Sequence, residues 1–204
     1  MSGESKHTIA PNDLSDMIKP VAGRDSEKFV EILYKRYLRL TSILDADVEE
    51  LEKMVGKKVA VQIKLLARIT SRRLTERFEF GKVHSESEIA DYLKALFMGL
   101  SVEHLYLISF SKDGKVLAFD RIGVGSVNSA AIIPRSVIET AIKRGAKSVA
   151  LAHNHPGGSS KPSKEDAELT SNLASVLEKA GIELIGHYVV SGDECTCIAV
   201  SSDM

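Results

Sequence analysis

Two imidazoles one residue apart, His153 and His155, are followed across a Gly-, Ser- and Pro-rich loop by Ser163 and Asp166. Side chains alternate along an extended backbone, so both rings of a His-x-His pair point to one side. Two neutral imidazoles and a carboxylate make a three-ligand set that suits Zn²⁺ and leaves a fourth position for water. That open position separates a catalytic zinc from a structural one. The pair also has an ordinary reading, two histidines placed in a turn for structural reasons. Ser163-x-x-Asp166 likewise reads as a helix start, with Ser163 as N-cap and Asp166 at the third helical position. The two readings agree, because a capped first turn would hold the Asp166 carboxylate rigidly beside the imidazoles.

The elements that must position these groups follow from periodicity and punctuation. Lys147–Ala152 is a short apolar run that delivers His153 and His155 at its carboxyl end. Ser163 then opens a helix (Leu169, Leu173, Val176, Leu177 and Ala180 inward) that Gly181 closes. Leu105–Phe110 and Lys115–Ile122 flank Asp113-Gly114 as a hairpin, and Glu183–Val190 and Glu194–Val200 form another around Ser191-Gly192-Asp193. Pro134 suits the first turn of a helix running to Arg144. Ser85 and Glu88 make a capping box for a helix reaching about Met98, with Ile89, Leu93, Leu96 and Phe97 inward.

Upstream the pattern is helical throughout. Helices are expected from Asp25 (Phe29, Ile32, Leu33, Tyr37), over Asp47–Met54, and over Lys58–Glu76 with Val59, Ile63, Leu66 and Ile69 inward. Residues 1 to about 25 are polar and punctuated by Pro and Gly, and are expected to include a mobile start. The expected organisation is a small all-helical domain over residues 1–80 and an α/β (α+β) domain over 83–204, a mixed sheet flanked by helices.

Composition bounds the function. The chain has 204 residues, is 44% hydrophobic and 27% charged, and carries a net charge of −1, which excludes a chain-wide nucleic-acid surface. No apolar run reaches the ~20 residues of a membrane span, and the first residues hold no secretion signal. Cys195 and Cys197 are expected to face opposite sides of a strand, packed and unpaired, and reduced thiols fit a cytoplasmic protein.

Residues 83–204 resemble the JAB/MPN domain with its JAMM metalloprotease-type motif: an upstream Glu, then His-x-His, seven residues and Ser-x-x-Asp. Narrower still, His153-Asn154-His155-Pro156 with Pro162-Ser163 and Glu165-Asp166 resembles the bacterial RadC family, as do Thr41–Ala46 and Gly56–Ala60. The resemblance implies one Zn²⁺ per chain on His153, His155 and Asp166. It implies Glu103, at the start of the Leu105–Phe110 strand, as general base; Glu139 and Glu165 are the competitors, one on a solvated helix face and one turned away beside Asp166. Ser163 would donate to the oxyanion, and the scissile bond would be an amide or isopeptide. Three positions depart from the family pattern: Gly157 follows the motif proline, Ile133 precedes Pro134-Arg135, and Gly186 precedes His187. The last removes an Asp that could have oriented a ligand. His187 is expected to be structural rather than a fourth ligand.

Two other readings compete. Leu44–Arg73 resembles a helix-hairpin-helix, with Gly56 in the hairpin, Lys57 and Lys58 beside it, and Lys64, Arg68, Arg72, Arg73 and Arg77 following. Such hairpins bind DNA phosphate through backbone N–H groups, and the family name carries a DNA-repair association. The ordinary reading is a packed hairpin with solvated charges, and Glu49, Glu50 and Glu52 lie close by. A metal-free scaffold is disfavoured because the ligand positions are intact.

Overall fold

A computed structural model describes residues 11–125 and 132–200, so residues 1–10 of the stretch expected to include a mobile start lie outside them. Five strands, β1 (His104–Phe110), β2 (Val116–Val124), β3 (Ser148–Asn154), β4 (Glu183–Ser191) and β5 (Glu194–Ala199), form one sheet in the order β2-β1-β3-β4-β5. All neighbours are antiparallel except β3 and β4. A parallel pair needs a crossover, and here it is the loop after Asn154 followed by α8 (Lys164–Lys179). The start of α8 must therefore return to the carboxyl end of β3, where His153 and His155 stand.

Period-two alternation sorts the strands onto two cores. Leu105, Leu107, Val149, Leu151 and Leu184 face α8 and α7 (Ile132–Arg144), meeting Leu173, Leu177, Val137 and Ala141. Ile108, Phe110, Ala150, Ala152, Tyr188 and Val190 face α6 (Glu86–Phe97) through Ile89, Leu93 and Phe97. The Ser85–Glu88 capping box opens α6 as the sequence requires. Cys195 and Cys197 are free thiols that pack on this second core together. The expected opposite orientation is corrected: positions two apart on a strand share a face. Burial pushes the Cys195 thiol up to about 11 and raises Cys197.

The upstream helices enclose a core of their own, in which Leu14, Ile18, Leu33, Ile43, Leu51 and Ile63 are buried. They are α1 (Pro11–Ala22), α2 (Ser26–Tyr37), α3 (Leu40–Asp45), α4 (Val48–Val55) and α5 (Lys57–Thr75). The irregular start expected up to residue 25 is corrected by α1, which buries Leu14 and Ile18 one turn apart. The proline at 20, inside the last turn of α1, removes the hydrogen bond its N–H would make to the carbonyl four residues back. In α5 the buried face is Val59, Ala60, Ile63, Ala67 and Ser71, so Ile69, expected inward, is 64% exposed.

The helical core and the sheet meet through small residues and a few polar bonds. Gly99 (φ +76°) lies so close to α5 that a Cβ there would sit 2.7 Å from the Ala67 methyl. Its N–H donates to Asp45 Oδ1 (2.7 Å), and Arg68 donates to the Met98 carbonyl (3.1 Å). Lys64 Nζ donates to the Leu44 and Ala46 carbonyls, 2.8 Å each, closing the end of α3. Burial pushes the Asp45 carboxyl up to about 6, against the Gly99 hydrogen bond and the Lys64 charge.

Asn154 ties β1 to β3 at the site end. Its Oδ1 accepts from His104 N–H (2.8 Å), and its Nδ2 donates to the Val102 carbonyl (3.1 Å). Both peptide groups flanking Glu103 are thereby held by the residue that separates the two histidines.

A carboxyl whose folded pKa is raised costs nothing below its unfolded pKa, costs progressively more as pH rises from there, and costs its full amount above the folded pKa. Asp45→Asn keeps an oxygen for Gly99 N–H, so it should stabilise the protein above pH 6, by about 1–2 kcal/mol. It should have little effect below about pH 4, as read from denaturation midpoints across pH. Asn154→Ala leaves buried partners unpaired and should cost about 1–3 kcal/mol. It should also speed hydrogen exchange at the His104 amide, and unchanged exchange there would show that the ladder alone holds Glu103.

Candidate metal centre

Local rules place each ligand. His153 belongs to β3 and shares the α8-facing side with Val149 and Leu151, and His155 extends the strand, its N–H donating to the Val190 carbonyl (2.8 Å). The β4–β5 hairpin fastens the loop that follows. Ser191 Oγ donates to the His155 and Gly158 carbonyls, 3.0 Å each, and buried Ser160 lies between Glu194 (3.3 Å) and Thr196 (3.1 Å). Ser163 caps α8 in a reciprocal capping box. Asp166 N–H donates to Ser163 Oγ (3.1 Å), and Ser163 N–H donates to Asp166 Oδ2 (2.7 Å).

The side-chain donor atoms of His153, His155 and Asp166 lie together. His153 Nε2 and His155 Nε2 lie 2.8 Å apart. Asp166 Oδ1 is 3.2 Å from the first, and Oδ2 is 3.6 Å from the second. Among the described residues these three form a group able to hold a metal ion. Its donor chemistry fits one. The Nδ1 of His155 faces the Ser159 carbonyl (2.8 Å), and the Nδ1 of His153 faces His187 (2.8 Å), so both Nε2 atoms are left for the space beside the carboxylate. Two imidazole nitrogens this close beside a carboxylate form a donor set that would suit a divalent cation.

Charge is arranged accordingly. Partial burial works against the Asp166 anion, but the His153 contact and the Ser163 hydroxyl and N–H outweigh it, holding the pKa well below the usual carboxylate range. The side chain of Asp166 is 14% exposed and that of His155 20%, so the centre is open on one side. His187 is fully buried, and desolvation, with His153 beside it, pushes its pKa down to about 3.

The other expected residues are placed as follows. Glu103 immediately precedes β1, where Leu105 pairs with His153. Glu103 therefore lies at the end of the sheet where His153 and His155 stand. It stands outside the three-ligand group. Glu139 is exposed and paired with Arg135 (2.7 Å), and Glu165 is exposed. The Ser163 hydroxyl donates to Asp166 Oδ2 (2.6 Å). Gly56 (φ +80°) joins α4 to α5, with Lys57 and Lys58 exposed after it, on the helical part.

His187, expected to be structural, stands behind His153, and two further supporting residues escape sequence reasoning: Thr170, which stands behind His187, and Asn154. Only the two-residue steps of β3 and the one-turn offset of Thr170 from Asp166 could have pointed to them. The expectation that an Asp at 186 would orient a ligand is corrected. A Cβ at Gly186 would meet Cys197 Sγ at 2.9 Å, on the face opposite His187.

Comparison with known proteins agrees with this arrangement. A family model described as a RadC-like JAB domain matches residues 83–202. A UPF0758 protein of Clostridium acetobutylicum is 35% identical over 154 residues, 74% of this chain and 67% of that protein. One from Finegoldia magna is 33% identical over 174 residues, 82% of this chain and 78% of the relative. One from a Geobacillus strain is 33% identical over 165 residues, covering 79% and 73%. With its ligand spacing, its sheet and these relatives in agreement, the chain belongs to the RadC-like JAB domain family.

Proposed function

We propose that the chain is a zinc-dependent hydrolase of JAMM type that cleaves a peptide or isopeptide bond in the cytoplasm. The observation that carries the reading is the convergence of His153, His155 and Asp166 on one point at the carboxyl end of the central strand β3. Zinc held by these three residues supplies Lewis acidity that brings the pKa of water towards ~7. Glu103 takes the proton of the attacking water and returns it to the leaving amine. The Asn154 bracket on both its neighbouring peptide groups fixes where that carboxylate starts from. Ser163 offers its hydroxyl to the developing oxyanion, where one positioned donor is worth ~10²-fold or more. To do so it turns away from Asp166 Oδ2, which keeps the Ser163 N–H as an anchor.

A second reading, DNA association, rests on α5. Between Lys57 and Thr75 the helix carries basic residues and no acidic one. Part of that charge is spent internally: Lys64 on α3, Arg68 on Met98, Arg72 on Glu76 (2.8 Å). Lys57 and Lys58, exposed at its N-terminus, are left to meet phosphate.

Metal content of untagged protein tests the main reading. The wild type should hold about one zinc per chain, His155→Ala should hold none, and a wild type that stays empty in added zinc would overturn the proposal. Glu103→Gln should keep the zinc and lose at least ~10²-fold in cleavage of a branched-peptide library. Anisotropy with random-sequence duplex tests the second reading. Lys57→Glu with Lys58→Glu should weaken binding and its salt dependence, and binding indifferent to both changes would remove the hairpin from consideration.

A further inference from the structure

Behind His153 runs a chain of three hydrogen bonds that returns to the helix supplying the carboxylate. His153 Nδ1 lies 2.8 Å from His187 Nε2, and His187 Nδ1 lies 2.8 Å from Thr170 Oγ1. Thr170 Oγ1 lies 2.6 Å from the Asp166 carbonyl oxygen. The proton positions along it follow from valence. A carbonyl only accepts, and a hydroxyl has one proton, so that proton lies between Thr170 and Asp166. Thr170 Oγ1 must then accept from His187, which puts the ring proton of His187 on Nδ1. A neutral imidazole has one N–H, and the fully buried His187 has no carboxylate against either nitrogen. Its Nε2 is a lone pair, which takes the Nδ1–H of His153 and leaves His153 Nε2 bare on the ligand side. His155 reaches the same state by one bond, Nδ1–H to the Ser159 carbonyl (2.8 Å).

We propose that Thr170 is a positioning residue: its hydroxyl, acting through His187, fixes the tautomer in which His153 offers its Nε2 lone pair to a divalent cation. The inference rests on the metal-site reading of His153, His155 and Asp166. It makes α8 responsible for two of the three ligands, since Asp166 is one and Thr170, a turn further on, sets the proton of another. Ligating histidines are commonly oriented by a carboxylate or carbonyl on their other nitrogen. Here a second histidine and a hydroxyl intervene, and the carbonyl at the end belongs to the ligand residue Asp166 itself. Without the hydroxyl, a buried His187 Nδ1–H would lose the acceptor it has at 2.8 Å and keep only the Asp166 carbonyl nearby, which is costly. The ring relieves this by moving its proton to Nε2 and donating to His153 Nδ1. The proton of His153 then sits on Nε2, in the place a cation needs.

The test compares wild type, Thr170→Val and Thr170→Ser in the full chain, with folding checked by circular dichroism. Zinc affinity is measured by chelator competition, and the His187 tautomer by ¹⁵N NMR of the ring with and without zinc. Thr170→Val should weaken zinc binding about 10–100-fold and move the His187 proton from Nδ1 to Nε2. Thr170→Ser, which restores the hydroxyl, should return both to wild type. Loss of zinc with an unchanged His187 tautomer would reduce Thr170 to packing and overturn the proposal, as would a serine variant that behaves like valine. Failure of the metal-site reading looks different: the wild type takes up no zinc, while the His187 tautomer in metal-free protein still decides whether the relay exists.

Discussion

Two imidazole nitrogens held 2.8 Å apart beside a carboxylate set the terms for the sheet end around them. Groups this polar are brought so close only where the fold fixes each of them. It does so from three directions. β3 is clamped between β1 and β4, the loop after His155 is fastened to the β4–β5 hairpin by Ser191, Glu194 and Thr196, and the capping box of α8 turns the Asp166 carboxylate inward. The capping box serves both local and tertiary ends. The same carboxylate that satisfies the Ser163 N–H at the helix start presents its other oxygen to His153.

The parallel pairing of β3 with β4 explains why one short stretch of chain can supply every ligand. A helix that connects parallel strands starts at the carboxyl end of the first strand, where binding sites of open sheets with such crossovers gather. His153, His155 and Asp166 are then brought together by a single crossover rather than by distant segments. Glu103 alone comes from elsewhere, and it is tied in by the amide of Asn154, the residue between the two histidines. The helical part touches this arrangement indirectly: Gly99, at the end of α6, fits against Ala67 only because it lacks a side chain, and its N–H meets the buried Asp45.

Much of this was legible in the sequence because it is local. A His-x-His spacing, a Ser-x-x-Asp start, an Asp113-Gly114 turn and the Ser85–Glu88 box each specify geometry within one turn or one strand, and each appears as read. The misreadings arose where the decision is tertiary. Along α5 two apolar stripes compete, and the buried one is chosen by the small residues Ala60, Ala67 and Ser71, which let neighbours approach; Val61, Leu65 and Ile69 stay outside. The segment of α1 is interrupted by proline and bounded by glycine, so its burial of Leu14 and Ile18 depends on packing against α2 and α5 that no local signal announces.

The residue before His187 shows how alternation overrules a plausible guess. An Asp at 186 would sit next to His187 in sequence but on the other face of β4, against Cys197 and the α6-side core. It could not reach His187 Nδ1, which points to Thr170. Gly186 therefore takes nothing away from the orientation of His153. What it does is make room for the Cys197 sulfur, which lies where a Cβ would be. The support of the candidate centre comes instead from α8, through a neutral chain in which each group has one proton to give and one place to give it.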